Sequence, residues 1–222
     1  MSAESAKVTD RATKAARRRK YEKRRRAEKE AATRLRITEA AVKLHGSVGA
    51  ARTTISGVAV EAGVQRGTVY RHFPDEAALF EACSSHWIAQ NPPPDPEGWA
   101  KEGDGDARLH RALDEVYSYY ERTAEMIENN LRDVATVPAL RPSMELFSAY
   151  FEAAREALVA GRPERGPARR TVRAAIGHAL AFTTWRSLTR EQGLSRAQAV
   201  ELMAALVGAS GASPGRRTKP ET

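Results

Sequence analysis

Gln65, Arg66, Thr68, Tyr70 and Arg71 fall within seven residues, and each ends in a hydrogen-bonding head. An arginine can bond the edge of guanine through two parallel donors, and a glutamine can pair with adenine. A threonine can touch a thymine methyl or accept a hydrogen bond; each good pair discriminates between bases by about 1–3 kcal/mol. This is chemistry for reading base edges, not for making or breaking covalent bonds. The sequence offers no Gly-rich phosphate loop, no nucleophile elbow and no metal-spaced His/Cys cluster. His45, His72, His86, His110 and His178 are scattered singly. An enzyme is not expected, and neither catalytic residues, cofactor nor metal is called for.

Such a polar set needs a small scaffold to hold it at the surface. Residues 53–73 read as two short helices joined by a tight turn. Thr54 can cap the first helix, because its hydroxyl accepts a backbone N–H of the opening turn. Ala59 is small where crossing helices must approach, and Val58, Val64 and Val69 fall where a core is needed. Gly63 stands where the first helix must stop in a left-handed conformation, which costs glycine nothing. Phe73 is core. A helix-turn-helix of this kind lays its second helix in the DNA major groove.

The run from Ala62 to Phe73, followed by Pro74-Asp75 and Ala77-Ala78-Leu79-Phe80, closely resembles the signature of the tetracycline-repressor-like (TetR) family. The likeness extends upstream through Ile37, Ala40, Ala41 and Leu44, apolar residues at helical spacing. Residues 33–82 carry it; beyond them it is a matter of layout only. The resemblance implies that Tyr70 and His72 contact phosphates and fix register, and that Gly67 permits close backbone approach. Thr54 and Ser56 would stand beside an adjacent base or phosphate; His72 could instead simply cap or pack. Where the family often carries a lysine for phosphate, this chain has Glu76 after the N-cap candidate Asp75. Two carboxylates suit the positive end of a helix dipole, but they put that phosphate contact in doubt.

Charge points the same way. The net charge is +8, yet residues 1–36 hold 14 Lys/Arg against 5 Asp/Glu, and the rest of the chain is balanced to within one charge. Arg17, Arg18, Arg19, Lys20, Arg24, Arg25 and Arg26 dominate this arm and are candidate phosphate contacts. Its composition of Ala, Arg, Lys and Glu without Gly or Pro suits a helical extension, with Glu22 and Arg26 at acid-first spacing. Like-charge crowding argues for an arm that is disordered or frayed until it meets DNA. A mere solubility tail is the bland alternative.

The expected organisation is a basic arm (1–30), a helix-turn-helix domain (31–91, motif 54–73), a helical domain (99–209) and a disordered tail (210–222). Asn91-Pro92-Pro93-Pro94-Asp95-Pro96 marks the boundary, since proline removes donors and restricts its predecessor. After a loop from Trp99 to Gly105, a stripe of Leu109, Leu113, Val116, Tyr117, Tyr120, Ala124 and Ile127 predicts a helix, with a pause at Asn129-Asn130. A helix over 144–160 should turn Leu146, Phe147, Tyr150, Phe151, Ala154 and Leu158 inward. A long helix over 168–192 precedes a last one opened by the capping box Ser195–Gln198. The chain reads as all-α with about nine helices.

In the helical domain Tyr117, Tyr120, Met126, Phe147, Tyr150, Phe151, Phe182 and Trp185 are candidates to line an apolar pocket, with His178, Thr183 and Asn130 as polar anchors. The same aromatics serve equally as plain core. By resemblance, the last two helices pair with a second copy into a four-helix bundle. Seam candidates are Ala175, Ile176, Ala179, Phe182, Thr183, Leu188, Leu202, Met203 and Leu206, with an intramolecular core as the other reading.

The expected function is therefore a homodimeric regulator that binds a palindromic double-stranded DNA operator and answers to a small apolar or aromatic effector. The rival is a nonspecific DNA-compacting protein working through its arm. The single cysteine, Cys83, excludes an internal disulfide and reads as buried packing or, less simply, a redox sensor. No apolar run is long enough for a bilayer and no secretory signal is seen, so a cytoplasmic protein with no membrane partner is expected.

Overall fold

Ten α-helices and no strand make up the described residues of the computed structural model, which gives the backbone of residues 3–211 and side chains from Arg17 onward. The chain divides into two compact units, Met1–His86 and Trp87–Thr222. Among the described residues no helix is long and apolar enough to cross a membrane. The expected tail beyond Gly211 lies outside the described residues.

The first unit begins with α1 (Ala3–Ser47), followed by a 3-10 turn (Ala50–Arg52), α2 (Ile55–Glu61), α3 (Arg66–His72) and the start of α4 (Glu76–Gln90). Of the two states open to the arm, the structure holds the helical one, continuous with the first helix of the head. Its side chains favour this locally: Arg18 pairs with Glu22 at 2.9 Å and Arg24 with Glu28 at 3.3 Å, both at i, i+4. Glu22 thus turns to Arg18 rather than to Arg26, the partner its spacing suggested.

The core of the head is small. Ile37, Ala40 and Ala41 of α1 meet Val58, Ala59 and Ala62 of α2, Val69 and Phe73 of α3, and Leu79 and Cys83 of α4. Fully burying a valine such as Val58 or Val69 contributes about 1.5–3 kcal/mol. Cys83 is 3% exposed, with its Sγ–H directed at the Thr38 carbonyl 3.8 Å away. Burial pushes its thiol up to about 12. Packing, not redox sensing, is what this environment supports.

The second unit comprises α5 (Pro96–Trp99), α6 (Gly105–Asp133), α7 (Arg141–Val159), α8 (Gly166–Leu180), α9 (Phe182–Arg186), a π-turn (Ser187–Glu191) and α10 (Arg196–Gly211). α10 packs on α8 and α6, and α7 on α8. The whole expected stripe of α6, from Leu109 to Ile127, is buried. The Ser195–Gln198 box closes as read: Ser195 N donates to Gln198 Oε1 at 2.9 Å, and Gln198 N to Ser195 Oγ at 3.3 Å.

Four expectations are corrected here. Trp99 is not in a loop; it ends α5 fully buried, its Nε1–H donating to Glu115 Oε2 at 2.7 Å. Asn129-Asn130 causes no pause, since α6 runs through to Asp133 with Asn129 buried. Leu146 is 65% exposed, because it lies on the outer side of α7 while Ala154 and Leu158 define its inner side.

The fourth correction is the largest. The single helix expected over 168–192 is broken at Ala181, whose φ and ψ of −68° and 135° are extended. The carbonyls of Ala179 and Leu180 receive hydroxyls instead. Tyr117 Oη donates to Ala179 O at 2.9 Å, and Tyr120 Oη to Leu180 O at 2.7 Å. The two tyrosines of α6 therefore satisfy the acceptors that the break leaves in a dry core.

Candidate nucleic-acid interface

The turn between α2 and α3 forms as its residues dictate. Gly57 N donates to Thr54 Oγ1 at 3.0 Å, capping α2, and Gly63 takes φ 64° to end it. α3 then lies on the head's core through Val69 alone among its helical residues, which leaves the remainder of its surface outward. Gln65, Arg66, Gly67, Tyr70 and Arg71 are exposed, and Thr68 and His72 are half-buried. A Cβ on Gly67 would meet no protein atom within 4 Å, so nothing inside this chain demands glycine there. A bare first turn is what close approach of another molecule to the backbone needs. Thr54 and Ser56 are exposed at the opening of α2. Asp75 caps α4 by accepting from Ala78 N at 2.8 Å, and Glu76 beside it is exposed.

The sequence-predicted residues are not independent of one another. Arg66 Nη2 donates to Tyr70 Oη at 3.1 Å, and its guanidinium stands 5.5 Å from the Tyr70 ring centroid. That hydrogen bond raises the Arg66 pKa further above its ordinary value. Tyr70, assigned to phosphate by resemblance, is thus also the residue that aims Arg66.

Arg71 and His72 face the arm. With Glu22, Arg25, Arg26, Lys29, Glu30 and Thr33 of α1 they line a cleft of about 400 Å³. Arg34 ties its walls together: Nη1 donates to the His72 carbonyl at 2.6 Å, while the guanidinium lies 4.1 Å over the Phe73 ring. His72 Nε2 is shielded from solvent with no hydrogen-bond partner. Lys29 and Arg34 were missed by sequence reasoning; only their place in the basic run hinted at them, because Arg34 and His72 are 38 residues apart. Arg17, Arg18, Arg19, Lys20, Arg24, Arg25 and Arg26 are all exposed along α1.

In the second unit the structure separates the remaining candidates into two classes. Tyr117, Tyr120, Phe182 and Trp185 are buried in mutual ring contact, with Tyr120 at 5.2 Å from Phe182 and 5.7 Å from Trp185. These four are core. Phe147, Tyr150 and Phe151 are half-buried beside them, and Met126 and Asn130 on α6 are also half-buried. Tyr150 Oη donates to the Pro94 carbonyl at 2.8 Å. His178 is exposed within 3.3 Å of Thr184 Oγ1, and Thr183 is exposed.

The seam divides likewise. Ile176, Ala179, Phe182 and Met203 are at most 5% exposed within their own chain, so they cannot also face a second copy without repacking. Leu202 and Leu206, at 40% and 52%, are the exposed large apolar residues of α10, while Ala175 and Leu188 are half-buried.

Residues 37–83 match the family model described as bacterial regulatory proteins, tetR family. The HTH-type transcriptional regulator TtgR of Pseudomonas putida is 46% identical over 50 residues. That stretch is 22% of this chain and 24% of the relative, so the match spans about a quarter of the relative's length. Solved structures extend the likeness of fold to both units. A TetR-like transcriptional regulator from Rhodococcus sp. RHA1 aligns at TM-score 0.58 and 16% identity, covering 81% of this chain and 97% of that one. NalD, the secondary repressor of the MexAB-OprM multidrug efflux pump in Pseudomonas aeruginosa, aligns at 0.54 and 22%, covering 82% and 97%.

Proposed function

We propose that this chain, which belongs to the tetR family of bacterial regulatory proteins through residues 37–83, is a repressor that binds a palindromic DNA operator as a homodimer. The observation that carries the reading is the outward polar set of α3, held over a buried Val58–Val69 core by the Thr54 cap and the Gly63 turn. Gln65, Arg66 and Thr68 take the bases, Arg71 turns to the side of the arm, and Tyr70, His72, Ser56 and Thr54 take phosphates or neighbouring edges. A single small head binds weakly. Two heads on half-sites about one helical turn apart, or a multiple of that, solve this. Leu202 and Leu206 are the residues through which α10 meets its copy, with Ala175, Thr183 and Leu188 at the margin.

The effector is a small apolar or aromatic molecule, held in the second unit against Phe147, Tyr150, Phe151 and Met126. It acts only through a preference for one conformation of the dimer, so it must favour the one that misfits the operator. Coupling of about 1–3 kcal/mol would weaken operator binding roughly 5- to 150-fold, and operator would weaken effector binding by the same factor.

The exposed cations of α1 favour a second reading, a nonspecific DNA-compacting protein. Selection of duplexes from a random pool, followed by the affinity ratio of selected to random DNA, decides between them. A ratio of about 10³ or more at physiological salt is expected for a specific regulator. A ratio near one would leave only the compacting role.

A further inference from the structure

We infer that the arm of α1 and the end of α3 together form a seat for a DNA strand flanking the bases that α3 reads. The inference rests on the DNA-binding reading above. Its occupant is the sugar-phosphate backbone of the same duplex, outside the half-site.

Four cationic side chains, Arg25, Arg26, Lys29 and Arg71, line the cleft against two carboxylates, Glu22 and Glu30. Glu22 is already held by Arg18. None of the four cations is in an ion pair among the described residues, so their charge is available to a third party. Arginine and lysine nitrogens lining one groove are donors for phosphate oxygens. The groove is not a chance fold of a loose tail, since one wall is α-helix and Arg34 ties it to the other.

Reach bears on how far from the half-site the strand can lie. Among the described side chains of α1 the first buried one is Ile37, and the helix runs back through Arg17 without a break. At about 1.5 Å per residue, that segment projects roughly 30 Å from the head, close to the roughly 34 Å of one duplex turn. Arg18 and Arg19 stand seven residues before Arg25 and Arg26, so the same side of the helix carries a second arginine pair two turns further out. A cationic helix of that length, starting beside the recognition helix, extends the contact past the half-site.

The test uses the full chain and a duplex selected from a random pool, with no flank and with about one helical turn of arbitrary flank on each side. Flanks should tighten binding whatever their sequence. Replacing Arg25, Arg26 and Lys29 together by Ala should abolish that gain and leave the selected motif unchanged. On the flanked duplex, the slope of log K against log salt should shrink by about 0.9 per lost contact, up to roughly 2.7 per head. Ala31→Pro keeps every charge but breaks the arm helix, and it too should lose the gain. All four positions are exposed, so the head should remain folded, which circular dichroism checks. Flank-independent binding by the parent, or a gain that survives the triple replacement, overturns the seat. A gain lost in the triple variant yet kept in Ala31→Pro also overturns it, in favour of a flexible tail. If no motif can be selected at all, the specific-regulator reading fails first and this inference falls with it.

Discussion

Tyr120→Phe removes one oxygen atom and leaves the ring contacts with Phe151, Phe182 and Trp185 in place. What it deletes is the 2.7 Å hydrogen bond to the Leu180 carbonyl at the α8 break. Leu180 is 2% exposed, so water cannot replace the donor without opening the core. An acceptor left unsatisfied in such a place costs about 1–3 kcal/mol. For a unit of this size that corresponds to a fall of roughly 3–10 °C in melting temperature. Tyr117→Phe, which orphans the Ala179 carbonyl, should cost a similar amount. The double variant should cost less than the sum. With both hydroxyls gone, straightening the helix through Ala181 lets the two carbonyls recover backbone donors. Urea unfolding followed by circular dichroism measures all three, with Tyr21→Phe as a control because Tyr21 is 52% exposed. If Tyr120→Phe and Tyr117→Phe both unfold within about 0.3 kcal/mol of the parent, a surface-like effect, the tyrosines do not hold the break.

Three further outcomes are expected. Burial raises the pKa of Tyr119 to about 12 and drives Tyr117, Tyr120 and Tyr150 upward as well. Their protonated forms are thus favoured by folding, so their contribution to stability should hold below about pH 10, the unfolded tyrosine value, and be lost as pH rises beyond it; alkaline titration of unfolding with no loss above pH 10 would contradict this. At the interface, Arg66→Ala should relax base preference at one symmetric position per half-site, and Tyr70→Phe should blur the same position because it frees Arg66. Binding-site selection that returns the parental motif for both removes Arg66 from readout. Finally, Leu202→Asp or Leu206→Asp should give folded monomers, since an unpaired carboxylate is costly at an apolar seam; light scattering that finds dimers for both would move the interface off α10.

The head was legible because its determinants are local. A cap, a left-handed glycine and helical spacing act within a few residues, and Thr54, Gly63 and Val69 sit where those rules put them. The Ser195–Gln198 box was legible for the same reason. The break at Ala181 was not, because no glycine, proline or asparagine marks it. Its acceptors are met by tyrosines 60 and 62 residues away. Trp99 eluded the sequence likewise, its indole being fixed by Glu115 on another helix. For Ile176, Ala179, Phe182 and Met203, apolarity alone could not say whether a residue faces its own core or a second copy. The cleft beside α3 depends on the arm being straight, and composition argued for that while charge argued against.

The depth of Cys83 has a practical consequence. A thiol raised to about 12 is ionised at pH 8 to the order of one part in ten thousand, whereas an unfolded cysteine near 8.5 is ionised to roughly a quarter. Alkylation must therefore wait for the helices around Thr38 and Cys83 to part, and its rate becomes a clock for opening of the first unit. Because the chain has one cysteine, that clock reads the first unit and is blind to the second. A thiol introduced on the surface of α1 or α10 would meanwhile accept a dye or spin label in minutes under conditions that leave Cys83 untouched. In the dimer proposed above, the distance between two arms, or between two copies of α10, would then be measurable in the otherwise unaltered chain.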